Sequence, residues 1–202
     1  MKSVFLWIIS FVISYLLGSV SFGIIVSRLG HGPDLRTVGS KSTGASNVQR
    51  TMGWKYGLIT FFGDALKAVL ACWLGSILTG NFLCTLICGL SVIIGHNWPV
   101  FFGFRGGKGV ASSCGVMLFC FPLPAAVCFV LTIILIAAFR YISLGSMFMV
   151  TLYALLVSLF YSGGNPWIIA WSIVMAGLVI YRHHANIKRL LQGTENKLGN
   201  RV

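Results

Sequence analysis

Between Phe102 and Ser113 the chain reads FGFRGGKGVASS, with Arg105 and Lys108 set among Gly106, Gly107 and Gly109. Glycines let the backbone approach a ligand closely, and lysine supplies charge. The residues that follow are apolar enough to open a helix, whose N-terminus carries the positive end of the helix dipole. Together these features describe an anion site, most simply one for phosphate. The stretch is not a nucleotide-binding P-loop. Phe102 stands where that pattern needs its first glycine, and Gly109 where it needs Ser or Thr. Taken alone, the cluster also fits a plain flexible turn on the basic side of a membrane.

A second polar segment, residues 30–57, offers hydrogen-bonding groups on Ser40, Ser42, Thr43, Ser46 and Asn47. It also offers two guanidinium forks, Arg36 and Arg50, of a shape that suits phosphate. Asp34 is its only acid, whereas a merely solvated loop usually mixes both signs. A short helix is expected from Ser46 onward, capped by Ser46 or Asn47, with Arg50 one turn along. A third segment, YRHHANIKRLLQGTENKLG, places His183 and Asn186 on one face if the preceding helix continues, with Lys188 and Arg189 a turn further. His183 has the side chain suited to taking a proton near neutral pH, although a satisfied polar histidine at an interface is the commoner case. Glu195, the tail's only acid, is expected to pair with an arginine or lysine and fix the tail.

These segments must be held by membrane helices. Of 202 residues, 57% are hydrophobic and 9% charged, with a mean hydropathy of +0.90, against about 25% charged in an ordinary soluble domain. The fold class is therefore an all-α integral membrane protein. The net charge of +12 points to cytoplasmic loops and an anionic substrate rather than to nucleic acid. Apolar segments cover 4–27, 57–79, 82–100, 144–161 and 166–181. Residues 109–139 are too long for one span, and Pro122 and Pro124 divide them into short helices, 109–121 and 123–139. That gives a bundle of about seven helices, N-terminus outside and C-terminus cytoplasmic, in a single domain of residues 1–202. With this topology 13 of the 15 basic residues, Arg201 among them, face the cytoplasm, and only Lys2 and Lys67 lie elsewhere. One long helix in place of two would put Arg140 and the basic tail outside.

Asp64 and Lys67 lie inside the second span, three residues apart on one face, and are expected to pair in a structural role. His96 and Asn97 are expected at the cytoplasmic interface, with Trp98 as a belt residue. The six cysteines lie in apolar runs without a CxxC pair and read as packing residues. Residues 4–29 do not read as a removable signal peptide, since the apolar run is too long. Three acids in the whole chain provide no carboxylate cluster, so neither metal nor organic cofactor is expected.

Taken together, VGSKSTGASNVQRTMG (38–53), GHNWPVFFGFRGGKGVA (95–111) and RHHANIKRLLQGTENKLG (182–199) resemble the three cytoplasmic motifs of the PlsY family. These are the bacterial glycerol-3-phosphate acyltransferases that use acyl phosphate. GSVSFG in the first span, the DALK pair and RYISLGS at 140–146 also resemble the family, and the likeness runs through the chain in order. It implies transfer of a fatty acyl group from acyl phosphate to the 1-hydroxyl of sn-glycerol 3-phosphate. The products are 1-acylglycerol 3-phosphate (lysophosphatidate) and phosphate, the first acylation of phospholipid biosynthesis, made at the cytoplasmic face of the bacterial inner membrane. The motif segments 30–56, 95–111 and 182–199 then carry the site. Ser40, Lys108, His183 and Asn186 are its catalytic candidates. Asn47, Arg50, Gly106, Gly107, Gly109, Arg140 and Ser143 are the substrate-binding candidates, and Asp64, Lys67 and Glu195 the structural ones. A monomer embedded in membrane lipid is expected. The chain departs from the family's first motif at three places: Lys41 stands where glycine is usual, Ser42 where asparagine is, and Ser46 where threonine is. Lysine has no easy access to a positive φ and adds a bulky charge.

The chemistry asks for a cationic pocket beside a lipid-accessible groove. Lys108 and the glycine amides would bind a phosphate and stabilise developing charge, and Arg50 would hold another phosphate bidentately. Either His183, oriented by Asn186, takes the proton of the attacking hydroxyl, or the donor's own phosphate does. The competing class is a small transporter of an anionic phosphorylated metabolite, which broken helices and small-residue spans would also suit. An inverted repeat is not visible between the halves, and the polar residues cluster at one face, which argues against transport.

Overall fold

The computed structural model describes residues 2–199, so Arg201 lies outside the described residues. Helices and connecting loops make up the described residues, with no strand among them. The chain forms two compact units that divide after Cys120.

The first unit contains α1 (Lys2–Ser19), α2 (Phe22–Leu29), α3 (Ala45–Met52), α4 (Trp54–Thr79), α5 (Phe82–Asn97), a 3₁₀ turn (Val100–Phe102) and α6 (Val110–Cys120). Its helices approach at positions without side chains. A Cβ on Gly18 of α1 would overlap the Val92 carbonyl of α5, and one on Gly95 would overlap the Tyr15 carbonyl of α1. Gly115 of α6 lies as tightly against the Ala65 carbonyl of α4. In a bilayer there is little hydrophobic force between helices, so such small-residue contacts and a few cross-helix hydrogen bonds hold them together. Ser91 Oγ supplies one, donating to Phe11 O at 2.7 Å.

The first span is not one continuous rod. It breaks at Val20 and Ser21, between α1 and α2, where GSVSFG offers little helix-forming side chain. A break inside a membrane frees carbonyls that must find donors. Lys67 supplies them: its Nζ donates to Gly18 O at 2.9 Å and to Val20 O at 2.6 Å.

The second unit contains α7 (Pro122–Phe139), α8 (Ile142–Leu156), a π-helical turn (Val157–Tyr161), α9 (Pro166–Arg182) and α10 (His184–Leu191). Pro122 opens α7 at a position that needs no amide donor, directly after α6 ends, which explains the division of 109–139 into two helices. Buried Trp171 of α9 packs against Tyr153 of α8 and Phe121. Ser158 and Ser172 meet through their hydroxyls at 3.1 Å. The six cysteines are all free and buried, as expected of packing residues.

Among the described residues five segments are long and apolar enough to cross a membrane: Val4–Leu29, Trp54–Thr79, Phe82–Phe102, Pro122–Phe139 and Ile142–Tyr161. A sixth is Pro166–Arg182 with His184–Leu191, if that pair, bent by 61°, counts as one. Against the expected seven, Val110–Cys120 falls short. Its 11 residues rise about 16 Å, roughly half the hydrocarbon thickness.

Candidate active site

Asn47 organises the first motif. Its side chain, 1% exposed, is enclosed by the loop that precedes α3. Oδ1 accepts from Ser40 N at 2.9 Å, while Nδ2 donates to the carbonyls of Leu35, Val38 and Ser42 at 3.2, 3.2 and 2.9 Å. Asn47 thus orders residues 35–42. This inward turn also moves the helix start. Gly44 is the N-cap and α3 begins at Ala45, so Ser46 and Asn47 lie in the first turn rather than capping it. Ser40 is half-buried beside this knot, and Arg50 is half-buried in the last turn of α3.

Two further side chains of the loop are placed unexpectedly. Arg36 closes on Asp34 as a fork, Nε to Oδ1 at 2.9 Å and Nη2 to Oδ2 at 2.8 Å, so its guanidinium is engaged within the loop. The side-chain hydrogen bond from Arg36 holds the Asp34 carboxyl at about 2, below the usual carboxylate range. Lys41 takes the left-handed conformation, φ +56°, with its side chain exposed. It therefore keeps the backbone that glycine would adopt freely, at a cost of about 1–2 kcal/mol for an L-residue.

The glycine-lysine loop rests on the end of α5. Gly107 N donates to His96 O at 3.1 Å, and a Cβ on Gly107 would overlap the His96 imidazole at Nε2. A Cβ on Gly106 would overlap the carbonyl of His96. Gly109 has φ +83°, and its missing Cβ would stand 3.1 Å from Asn97 Oδ1. The close approach these glycines permit is thus to the protein itself. Lys108, between them, is half-buried, and α6 begins two residues later. His96 and Asn97, expected at the interface, are 4% and 0% exposed.

Beneath them Asp64 and Lys67 pair at 2.7 Å, as their spacing predicted. His96 joins them, its Nδ1 lying 3.4 Å from Asp64 Oδ1 and 3.2 Å from Lys67 Nζ. No sequence signal links residues some thirty positions apart, and this third member was missed.

In the second unit Glu195 is the centre of a polar cluster. Its Oε1 accepts from Ser143 Oγ at 2.9 Å and Asn186 Nδ2 at 2.6 Å, and its Oε2 from Arg189 Nε at 2.7 Å. Burial pushes this carboxyl up, but the bonds from Asn186, Ser143 and Arg189 outweigh burial and hold it below its ordinary value. The expected pairing of Glu195 with a basic residue is present, in Arg189. Ser143, expected to meet substrate, donates to Glu195 of the tail. Arg140, likewise expected at a phosphate, donates from Nη2 to Leu198 O at 2.9 Å and accepts Leu198 N–H on its own carbonyl at 2.6 Å. Both residues pin the C-terminal segment.

His183 sits at the bend between α9 and α10, so the condition for His183 and Asn186 to share one straight helix face is not met. Its ring is buried, and Nδ1 lies 2.8 Å from Val179 O. A carbonyl only accepts, so Nδ1 carries the proton and Nε2 is the basic nitrogen.

An all-helical membrane protein with a lysine in a glycine loop, a serine-arginine segment and an oriented histidine has the parts of an enzyme acting on phosphorylated substrates at a membrane. The profile of the glycerol-3-phosphate acyltransferase family matches residues 8–193, and the chain belongs to that family. It is 43% identical over 197 residues to glycerol-3-phosphate acyltransferase 2 of Moorella thermoacetica, covering 97% of this chain and 100% of the relative. To the glycerol-3-phosphate acyltransferase of Halalkalibacterium halodurans it is 44% identical over 190 residues, 92% of each chain. Among solved structures it is similar to the glycerol 3-phosphate form of PlsY, an integral membrane glycerol 3-phosphate acyltransferase. The TM-score is 0.88 at 37% identity, over 96% of both chains. The lysophosphatidic acid form of PlsY gives a TM-score of 0.85 at 36% identity, again over 96% of both.

Proposed function

We propose that this acyltransferase moves a fatty acyl group from acyl phosphate to the 1-hydroxyl of glycerol 3-phosphate. It would work as a monomer at the cytoplasmic face of the bacterial inner membrane and release 1-acylglycerol 3-phosphate and phosphate. The observation that carries this reading is end-to-end similarity to a protein solved in both a glycerol 3-phosphate and a lysophosphatidic acid form, the acceptor and product of such a transfer.

The residue roles follow from the chemistry each group carries. Lys108, with the N-terminus of α6 behind it, binds a phosphate and stabilises charge that develops during transfer. Arg50 holds a phosphate and Ser40, whose backbone Asn47 keeps in place, donates a hydrogen bond beside it. His183 presents Nε2 as the base for the attacking hydroxyl. Acyl phosphate is an activated anhydride with a good leaving group, so positioning and electrostatics can supply most of the acceleration. Asn186 is oriented by Glu195 and in turn fixes the α10 segment that follows His183.

The test is phosphate release by the purified protein in lipid, with palmitoyl phosphate supplied with and without glycerol 3-phosphate. Release is expected only with both substrates, and Lys108→Ala is expected to lower kcat/KM by at least a hundredfold. Release that ignores glycerol 3-phosphate would remove the acyl-transfer reading.

A further inference from the structure

The buried cluster of Asp64, Lys67 and His96 has no part in the chemistry just described. Its side chains are 1%, 4% and 3% exposed. Lys67 is accounted for by the carbonyls it satisfies at the break after α1, and Asp64 by the charge of Lys67. The need for an imidazole at 96 is not explained by either. A buried ion pair contributes little net stability compared with apolar packing, so folding alone gives weak reason to retain this arrangement.

The two sides of His96 face different things. The Nδ1 edge lies within 3.2 Å of Lys67 Nζ and 3.4 Å of Asp64 Oδ1, which fixes the plane of the ring. The Nε2 edge lies directly under the Cα of Gly107, where no side chain would fit, and the His96 carbonyl accepts the Gly107 N–H. The residue after Gly107 is Lys108. A chain of contacts therefore runs from the buried pair, through the ring, to the backbone that carries the lysine.

We propose that Asp64, Lys67 and His96 are positioning residues that seat the glycine-lysine loop, setting the place of Lys108 without touching substrate. The proposal rests on the reading that Lys108 meets a substrate phosphate. On this view the glycines at 106 and 107 are required by the seat below the loop. A neutral residue at 64 leaves Lys67 without its counter-charge and frees the ring to turn. The loop then loses its support while the helices around it keep their packing.

The experiment uses the full chain in lipid nanodiscs and two readouts: hydrogen exchange of a peptide covering residues 103–110, and steady-state kinetics against glycerol 3-phosphate. Asp64→Asn and His96→Ala should each speed loop exchange at least tenfold, with exchange in residues 166–182 unchanged as the internal control. Each should lower kcat/KM for glycerol 3-phosphate at least tenfold, with part of the loss in kcat, because a displaced Lys108 no longer meets the charge that develops in transfer. Gly107→Ala should lower kcat/KM similarly. Combined with His96→Ala it should add less than twofold, because the ring its Cβ would strike is gone.

Loop exchange equal to wild type in Asp64→Asn and His96→Ala would overturn the proposal, as would effects of His96→Ala and Gly107→Ala that multiply. If Asp64→Asn fails to fold, the His96 and Gly107 variants, which leave the ion pair intact, decide alone. If loop exchange responds as expected but Lys108→Ala leaves KM and kcat untouched, the seat stands and the phosphate role of Lys108 fails.

Discussion

Single side chains in this protein are committed to loop and tail geometry more often than their chemistry suggests. Glu195 is the clearest case, with three donors on one buried carboxylate. Glutamine there would keep one acceptor oxygen and turn an amide donor toward donors. We expect Glu195→Gln to lower stability by about 1–3 kcal/mol, the cost of leaving a buried polar group unsatisfied, read as a lower unfolding temperature in detergent. The same carboxyl sets a pH dependence. Its folded value is depressed, so its contribution is fully present above the ordinary glutamate range and is lost as pH falls through the lower folded value. In Glu195→Gln that acid-side loss should be absent, and a variant with the wild-type slope would show that Glu195 is not its source. Asn47 is a parallel case. Asn47→Ala strips the loop of four hydrogen bonds, and trypsin should then cut after Lys41 or Arg36 at least tenfold faster than in wild type. Unchanged cutting would return Asn47 to a direct role at substrate.

Helices were more legible from sequence than the uses of their polar residues, and the reasons are physical. Apolar runs and the prolines at 122 and 124 are local signals, so the division of 109–139 into α6 and α7 could be read directly. The Asp64–Lys67 pair was equally local, lying within one turn of α4. His96 was not, because its partners belong to another helix, α4, and nothing local in the sequence brings α4 and α5 together at that point. Whether the helix continues through His183 could not be read, because RHHANIKRL keeps a helical pattern straight through the bend. Serines, asparagines and arginines of the motifs were read as ligand groups because sequence shows their chemistry and not their neighbours. Ser143 and Arg140, for example, bond to the tail, a neighbour far along the chain that sequence does not show. Lys41 gives this scale its own test. Its left-handed backbone costs about 1–2 kcal/mol, partly offset by the extra unfolded-state freedom of glycine. Lys41→Gly should therefore be neutral or stabilising by up to about 1 kcal/mol by denaturant titration, with turnover retained.

At the scale of the whole molecule α6 decides which side of the membrane each later loop faces. Eleven residues are too few to cross a bilayer as a lipid-facing helix. Yet α6 does not face lipid for most of its length, since Ala111 to Met117 are buried. A helix enclosed by protein need not match the hydrocarbon thickness. If α6 carries the chain across, the basic segments 28–56, 101–108, 140–143 and 182–199 all lie on one side, as the distribution of lysine and arginine favours. If it turns back, Arg140, Arg182, Lys188 and Arg189 move to the opposite face from Arg50 and Lys108, and the motif segments are split across the bilayer. The native cysteines are buried, so single surface cysteines can report. Lys41→Cys and Lys188→Cys should both react with an impermeant maleimide in inverted membrane vesicles and not in intact cells, while Gly163→Cys should do the reverse. Opposite labelling of positions 41 and 188 would place the first and third motifs on different sides. A shared cytoplasmic reaction would then be impossible whatever the family likeness.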